Sequence, residues 1–132
     1  MLTHVHHVNL LVRDLDRMVR RYQEALGLGP PILEEIAGRG VRTARFLLGR
    51  TWLVLVQPVD PDGVPAQHLA EHGEGLFLLS FGVENLEAAR QSAAQHGATL
   101  QGPVREGLAG WRVQDLAPAE FAGAQLQLCE EP

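Results

Sequence analysis

The chain has one cysteine, few aromatic residues (5%) and no clustered basic run. Cys129 has no intrachain partner, so no disulfide framework exists and a reducing, cytoplasmic setting is expected. The net charge is −5, and phosphate backbones need clustered Lys and Arg. A nucleic-acid partner is therefore excluded. The longest apolar stretches, Leu53 to Val56 and Leu76 to Phe81, are far too short to span a bilayer, so no membrane role is expected. The opening residues, Met1-Leu2-Thr3-His4-Val5-His6, lack the basic and apolar regions of a secretory signal.

What is present is a repeat. His7-Val8-Asn9-Leu10-Leu11-Val12-Arg13-Asp14-Leu15-Asp16 has the pattern of Leu78-Leu79-Ser80-Phe81-Gly82-Val83-Glu84-Asn85-Leu86-Glu87. Each copy alternates like a strand and turns at an Asx residue. Each then enters a helical stretch that stops near Gly27 or Gly97. In the first copy Leu15, Met18, Val19, Tyr22 and Leu26 make one apolar helical face. Gly40-Val41-Arg42 matches Gly110-Trp111-Arg112, and Leu53 to Val56 matches Leu126 to Cys129. An internal repeat constrains architecture more than any one motif does.

Strands are expected over 5–12, 32–37, 41–48 and 51–57, and helices from 15 and over 65–72. The second half repeats the order: a strand at 76–83, a helix over 86–96 capped by Asn85, and extended segments near 98–105, 110–116 and 124–130. The expectation is one α+β domain over 1–132. It would hold two tandem βαβββ modules (about 4–60 and about 76–130, with a linker at about 61–75) forming a cupped mixed β-sheet with helices outside.

This arrangement resembles the vicinal oxygen chelate superfamily, which includes glyoxalase I, bleomycin-resistance proteins, extradiol dioxygenases and methylmalonyl-CoA epimerase. The epimerase branch is the nearest. The carrying features are the His7 to Asp16 segment, Gly40-Val41, Phe46, Leu48-Gly49, Thr51 and Pro58, the stretch Leu69 to Leu76, and the final Gly123 to Leu128. The resemblance implies two facing half-cups and a divalent metal bound by residues of the first and last strands of the modules. Carried onto this chain, the four ligand positions are His7, Val54, Leu78 and Gln127. The family places His or Glu, Glu or Gln, His, and Glu there.

Only His7 is a strong donor. Gln127 offers a neutral amide oxygen, and Val54 and Leu78 offer nothing. Zinc needs about three or four N, S or O donors, and magnesium or manganese about six. No metal and no other cofactor is expected. The family's further catalytic Glu falls on Thr43. Gln127 cannot carry a proton, so the epimerase chemistry lacks both its metal and its carboxylates.

Parity with those positions marks further cup-facing residues: Asn9, Arg45, Trp52, Val56, Ser80 and Gln125. The expected ligand-binding set is His7, Asn9, Thr43, Arg45, Trp52, Val54, Leu78, Ser80 and Gln127. A small organic molecule would then bind in the cleft between the modules, as in bleomycin-resistance proteins. Arg45 would receive a carboxylate or phosphate, or else lie at the rim in solvent. The alternative is an isomerase or lyase of epimerase or glyoxalase type, acting on an acyl-CoA or similar carbonyl compound with His7 as acid–base. A homodimer is expected from the resemblance.

Alternation puts His4 and His6 opposite to His7, as surface residues. Glu34, Glu35, Glu130 and Glu131 read as solvated charges, and Trp111 as a packing or dimer-interface residue. His68 and His72 share a solvated linker helix. The Arg105 to Gly110 segment reads as a mobile loop over the cup.

Overall fold

The structure is a computed structural model describing residues 1–132. It contains eight strands: β1 (Leu2–Leu11), β2 (Ile32–Ile36), β3 (Val41–Leu48), β4 (Thr51–Pro58), β5 (Gly75–Val83), β6 (Leu100–Glu106), β7 (Arg112–Leu116) and β8 (Leu126–Glu130). Its three α-helices are α1 (Leu15–Leu26), α2 (Val64–His72) and α3 (Leu86–Gln95). Short 3-10 turns occupy Ala37–Arg39, Leu108–Gly110 and Pro118–Phe121. The chain is α+β, and its strand pairing is mixed.

Two compact units are present. One is Val8–Phe77; the other is Met1–His7 together with Leu78–Pro132. Strand β1 is therefore shared out between them.

In the Val8–Phe77 unit, β2, β3 and β4 form an antiparallel meander, with Ile36 opposite Val41 and Leu48 opposite Thr51. The Val12 N–H donates to the Val56 carbonyl (2.9 Å), tying the end of β1 to β4. Helix α1 starts where Asp14 caps it, its side chain accepting from the Arg17 N–H at 3.1 Å. It ends at Gly27, which is left-handed (φ 70°). Its apolar face closes a core of Val12, Leu15, Ala44, Phe46 and Leu55, flanked by Met18, Val19 and Tyr22. Burying each large aliphatic side chain there contributes about 1.5–3 kcal/mol.

The other unit repeats this plan. Asn85 caps α3 by accepting from the Ala88 N–H (2.9 Å). The core is Val83, Leu86, Ala89, Leu116 and Leu128. Val83 and Leu86 stand at the repeat positions of Val12 and Leu15, so the same two buried anchors serve each helix. Strands β6, β7 and β8 are antiparallel, while β5 runs parallel to β8, with Ser80 opposite Gln127. The parallel pair is what the repeat requires, because the helix and the returning strands intervene between them.

Gly40 illustrates a local constraint. It sits at φ +63°, and a Cβ there would fall on the Cβ of Asp60. The Gly40 carbonyl accepts from both Val59 and Asp60 N–H (2.7 and 3.1 Å), which brings the chain after β4 back against the turn before β3.

A buried imidazole–thiol cluster and the candidate ligand residues

Strand β1 carries His6 and His7 side by side, and both are buried. Alternation led to the expectation that His6 would face solvent; that expectation is corrected, since His6 is only 1% exposed. The reason is Trp111. His7 stacks on its ring (centroids 4.9 Å, 24°), and His6 meets it edge-on (4.6 Å, 84°). The two imidazoles turn toward one another, with their Nδ1 atoms 2.9 Å apart. Cys129, on β8, brings Sγ to 3.6 Å from His6 Nδ1. The other nitrogen of His6, Nε2, is 2.7 Å from Glu131 Oε1. Glu131 is therefore not the freely solvated charge its sequence position suggested.

Burial is the main force on these groups. It holds the His7 pKa down to about 3, helped by the positive charge of His6 when protonated and of Arg105, and opposed by the nearby Gln127 amide. Burial likewise pushes the Cys129 thiol up to about 12, with the charges of Glu131 and Glu130 adding to the effect and Ser80 opposing it. At neutral pH His7 is a neutral imidazole and Cys129 a protonated thiol. A buried base that weak is poorly suited to general base catalysis.

Around this cluster Arg105 and Asp115 form a fork-like ion pair (3.0–3.3 Å). Gln127 Nε2 donates to Asp115 Oδ1 at 3.1 Å, which orients its amide. Gln127 Oε1 and Ser80 Oγ are buried and make no hydrogen bond of ordinary geometry. Arg105 and Glu106 belong to β6, and Leu108 and Trp111 are buried beside the following turn. The segment expected to be a mobile loop is thus strand and packed turn.

In the Val8–Phe77 unit, Arg45 is 7% exposed and its Nη1 pairs with Glu34 Oε1 at 2.7 Å. The guanidinium lies 5.3 Å from the Trp52 ring centroid. Arg45 is therefore not at a solvated rim, and Glu34 is not an idle surface charge. Thr43 is buried and its hydroxyl donates to the Glu34 carbonyl (2.7 Å). Asn9 Oδ1 is buried without a hydrogen-bond partner. Val54 is fully buried and sits opposite Arg45 in the β3–β4 register.

At the four positions where the family's metal would be held, the donor set fails. Val54 and Leu78 are buried aliphatic residues (0% and 8% exposed), and Gln127 offers only a neutral amide oxygen. His7 alone remains a good donor. Neither aliphatic side chain could replace any of a cation's hydration. The carboxylates expected to be solvated at Glu130 are also engaged: Glu130 accepts from the Leu86 N–H (2.9 Å) and pairs with Arg112 (3.2 Å). His68 and His72 do share one face of α2, with ring centroids 4.4 Å apart. Gln114, which sequence reasoning passed over, is fully buried and joins Arg90 to the backbone of β6. Its polar side chain inside a strand pattern gave no signal of that role.

The fold is that of a vicinal-oxygen-chelate scaffold, with aliphatic residues at two of the four positions to which the resemblance assigns a metal. Residues 6–114 match the model of the glyoxalase/bleomycin resistance protein/dioxygenase superfamily, and the chain belongs to that family. It is 26% identical to the ethylmalonyl-CoA/methylmalonyl-CoA epimerase of Cereibacter sphaeroides, covering 97% of this chain and 98% of that protein. It is also 26% identical to the uncharacterized protein YqjC of Bacillus subtilis, covering 94% and 89%. Among solved structures, methylmalonyl-CoA epimerase from Mycobacterium tuberculosis superposes with a TM-score of 0.94 at 27% identity, covering 99% of this chain and 89% of that one. A variant of the Streptomyces coelicolor methylmalonyl-CoA epimerase in complex with 2-nitronate-propionyl-CoA gives 0.93 at 26% identity, covering 99% of each. No helix of this chain is long and apolar enough to cross a membrane.

Proposed function

We propose that the protein binds a small organic molecule, with acyl-CoA thioesters the first class to consider, and that this binding needs no metal coordinated through the family positions Val54 and Leu78. The observation that carries the reading is the pair of buried aliphatic side chains, Val54 and Leu78, in place of donors. The orphaned buried oxygen of Asn9 supports it, since a polar atom left without a partner is where a ligand's own donor is wanted. The thioester class is suggested by the epimerase relatives. Homodimer formation is part of the proposal, as is a location in the cytoplasm.

The enzymatic alternative, with His7 as acid–base, is weakened by the depressed pKa of that imidazole. The test is a thermal-shift panel of acyl-CoA thioesters, free acyl acids and CoA in chelator-treated buffer. Saturable stabilisation by a thioester is expected. No stabilisation by any member, or turnover that vanishes in His7→Ala while binding persists, would overturn the binding-protein reading.

A further inference from the structure

His6, His7 and Cys129 place three ligand atoms within 4.8 Å of one another, all buried, in one unit of the fold. Two of them, His6 and Cys129, lie outside the four family positions. We propose that this imidazole–imidazole–thiol cluster, which shares only His7 with those positions, is a site for a borderline-soft divalent cation, zinc foremost.

The distances fit. Tetrahedral zinc, with bonds of about 2.0–2.1 Å to N and about 2.3 Å to S, sets neighbouring N atoms roughly 3.3 Å apart and N from S roughly 3.5 Å. The observed separations are 2.9 Å between the Nδ1 atoms and 3.6 Å from His6 Nδ1 to Cys129 Sγ. A few tenths of an ångström of ring rotation would open the first to the ideal. The Nδ1 atoms already point at each other rather than at separate acceptors.

The outer shell fits as well. A metal-bound imidazole commonly gives its other N–H to a carboxylate, which fixes the ring and raises its basicity. Glu131 Oε1 stands 2.7 Å from His6 Nε2, in that role. Gln127 Oε1, buried and unpartnered, lies beside His7. Ser80 Oγ, also buried, flanks Cys129 and offers a neutral fourth donor or an anchor for a bound water. Arg105, whose charge acts on His7, is paired with Asp115. On binding, the Sγ–H bond breaks, the thiolate electron pair forms the metal–sulfur bond, and that proton leaves to solvent; the hydrogen shared by the two Nδ1 atoms is given up as its ring shifts to the tautomer protonated on Nε2, which frees both Nδ1 lone pairs for the metal. Softness favours zinc over magnesium or manganese, because a thiolate and two imidazoles offer no oxygen cage.

The test uses the full chain, stripped of metal by dialysis against chelator, then titrated with cobalt as a spectroscopic probe and with zinc against a chromophoric competitor. The expected result is one ion per chain, with sulfur-to-cobalt charge-transfer absorption and the intense visible bands of four-coordinate cobalt. Cys129→Ser should abolish the charge-transfer band. Cys129→Ser and His6→Gln should each weaken zinc by more than the roughly 10–100-fold expected for Glu131→Gln. Far-UV circular dichroism of each variant checks its folding. A wild-type cobalt spectrum without the sulfur band overturns the proposal by itself, even if no variant folds. Undiminished zinc affinity in a folded Cys129→Ser protein overturns it too. Thioester binding is not a readout here, so this inference and the proposed function fail separately.

Discussion

The pH dependence of stability offers a sharp check on the buried His7. Its imidazole is 4% exposed and its pKa falls from 6.5 to about 3. A depressed pKa means that the unfolded chain takes up a proton more readily than the folded one. The contribution of His7 to stability is therefore fully present above pH 6.5 and is lost progressively as pH falls toward 3. Each pH unit within that window costs about 1.4 kcal/mol. Between about pH 7.5 and about pH 5 the loss from this one group is about 2 kcal/mol. Other groups titrate as well, so the informative quantity is the difference from His7→Gln, which keeps a polar side chain but cannot titrate. Urea unfolding of metal-free protein, followed by tryptophan emission, gives both free energies. The wild type should lose about 2 kcal/mol more than the variant over that interval. Parallel losses in the two proteins would refute a buried, neutral His7.

Three further substitutions test the fold that positions these groups. Leu55→Ala empties a fully buried site in the first core and should cost about 2–5 kcal/mol by denaturant unfolding. Asp14→Ala and Asn85→Ala remove equivalent caps of α1 and α3, and each should cost about 1 kcal/mol; a cost confined to one of them would argue against equivalent helix starts. Gly40→Ala forces a Cβ onto Asp60 at a left-handed residue and should lower the Tm, at a cost of about 1–3 kcal/mol from the backbone alone.

The secondary structure was legible because its signals are local. Asp14 and Asn85 start α1 and α3 at the positions that their spacing predicts, and Gly27 stops α1 with a left-handed turn. Turns at Gly38 to Gly40 and at Gly49-Arg50 separate β2, β3 and β4 within a residue or so of the expected limits. The repeat also identified Val12, Leu15, Val83 and Leu86 as corresponding positions before any packing was known. What stayed hidden depends on contacts between residues distant in sequence. Alternation placed His6 in solvent, yet Trp111 and Cys129, more than a hundred residues onward, cover it. Arg45 read as a free cation, but Glu34, across the β2–β3 pair, pairs with it. The Arg105 segment looked mobile on account of its glycines, while Asp115 across the β6–β7 pair holds it in place. A pattern read along one strand carries no information about what comes to rest against it.

The central proposal is that ligand recognition needs no metal at the family positions where Val54 and Leu78 stand as buried aliphatic side chains. It is tested most directly by calorimetric titration of the chelator-treated protein with methylmalonyl-CoA, repeated with added manganese or magnesium, hard ions that a thiolate and two imidazoles do not favour. The account predicts saturable binding whose Kd is the same in all three conditions. Affinity or epimerase turnover that appears only when the ion is added would contradict it.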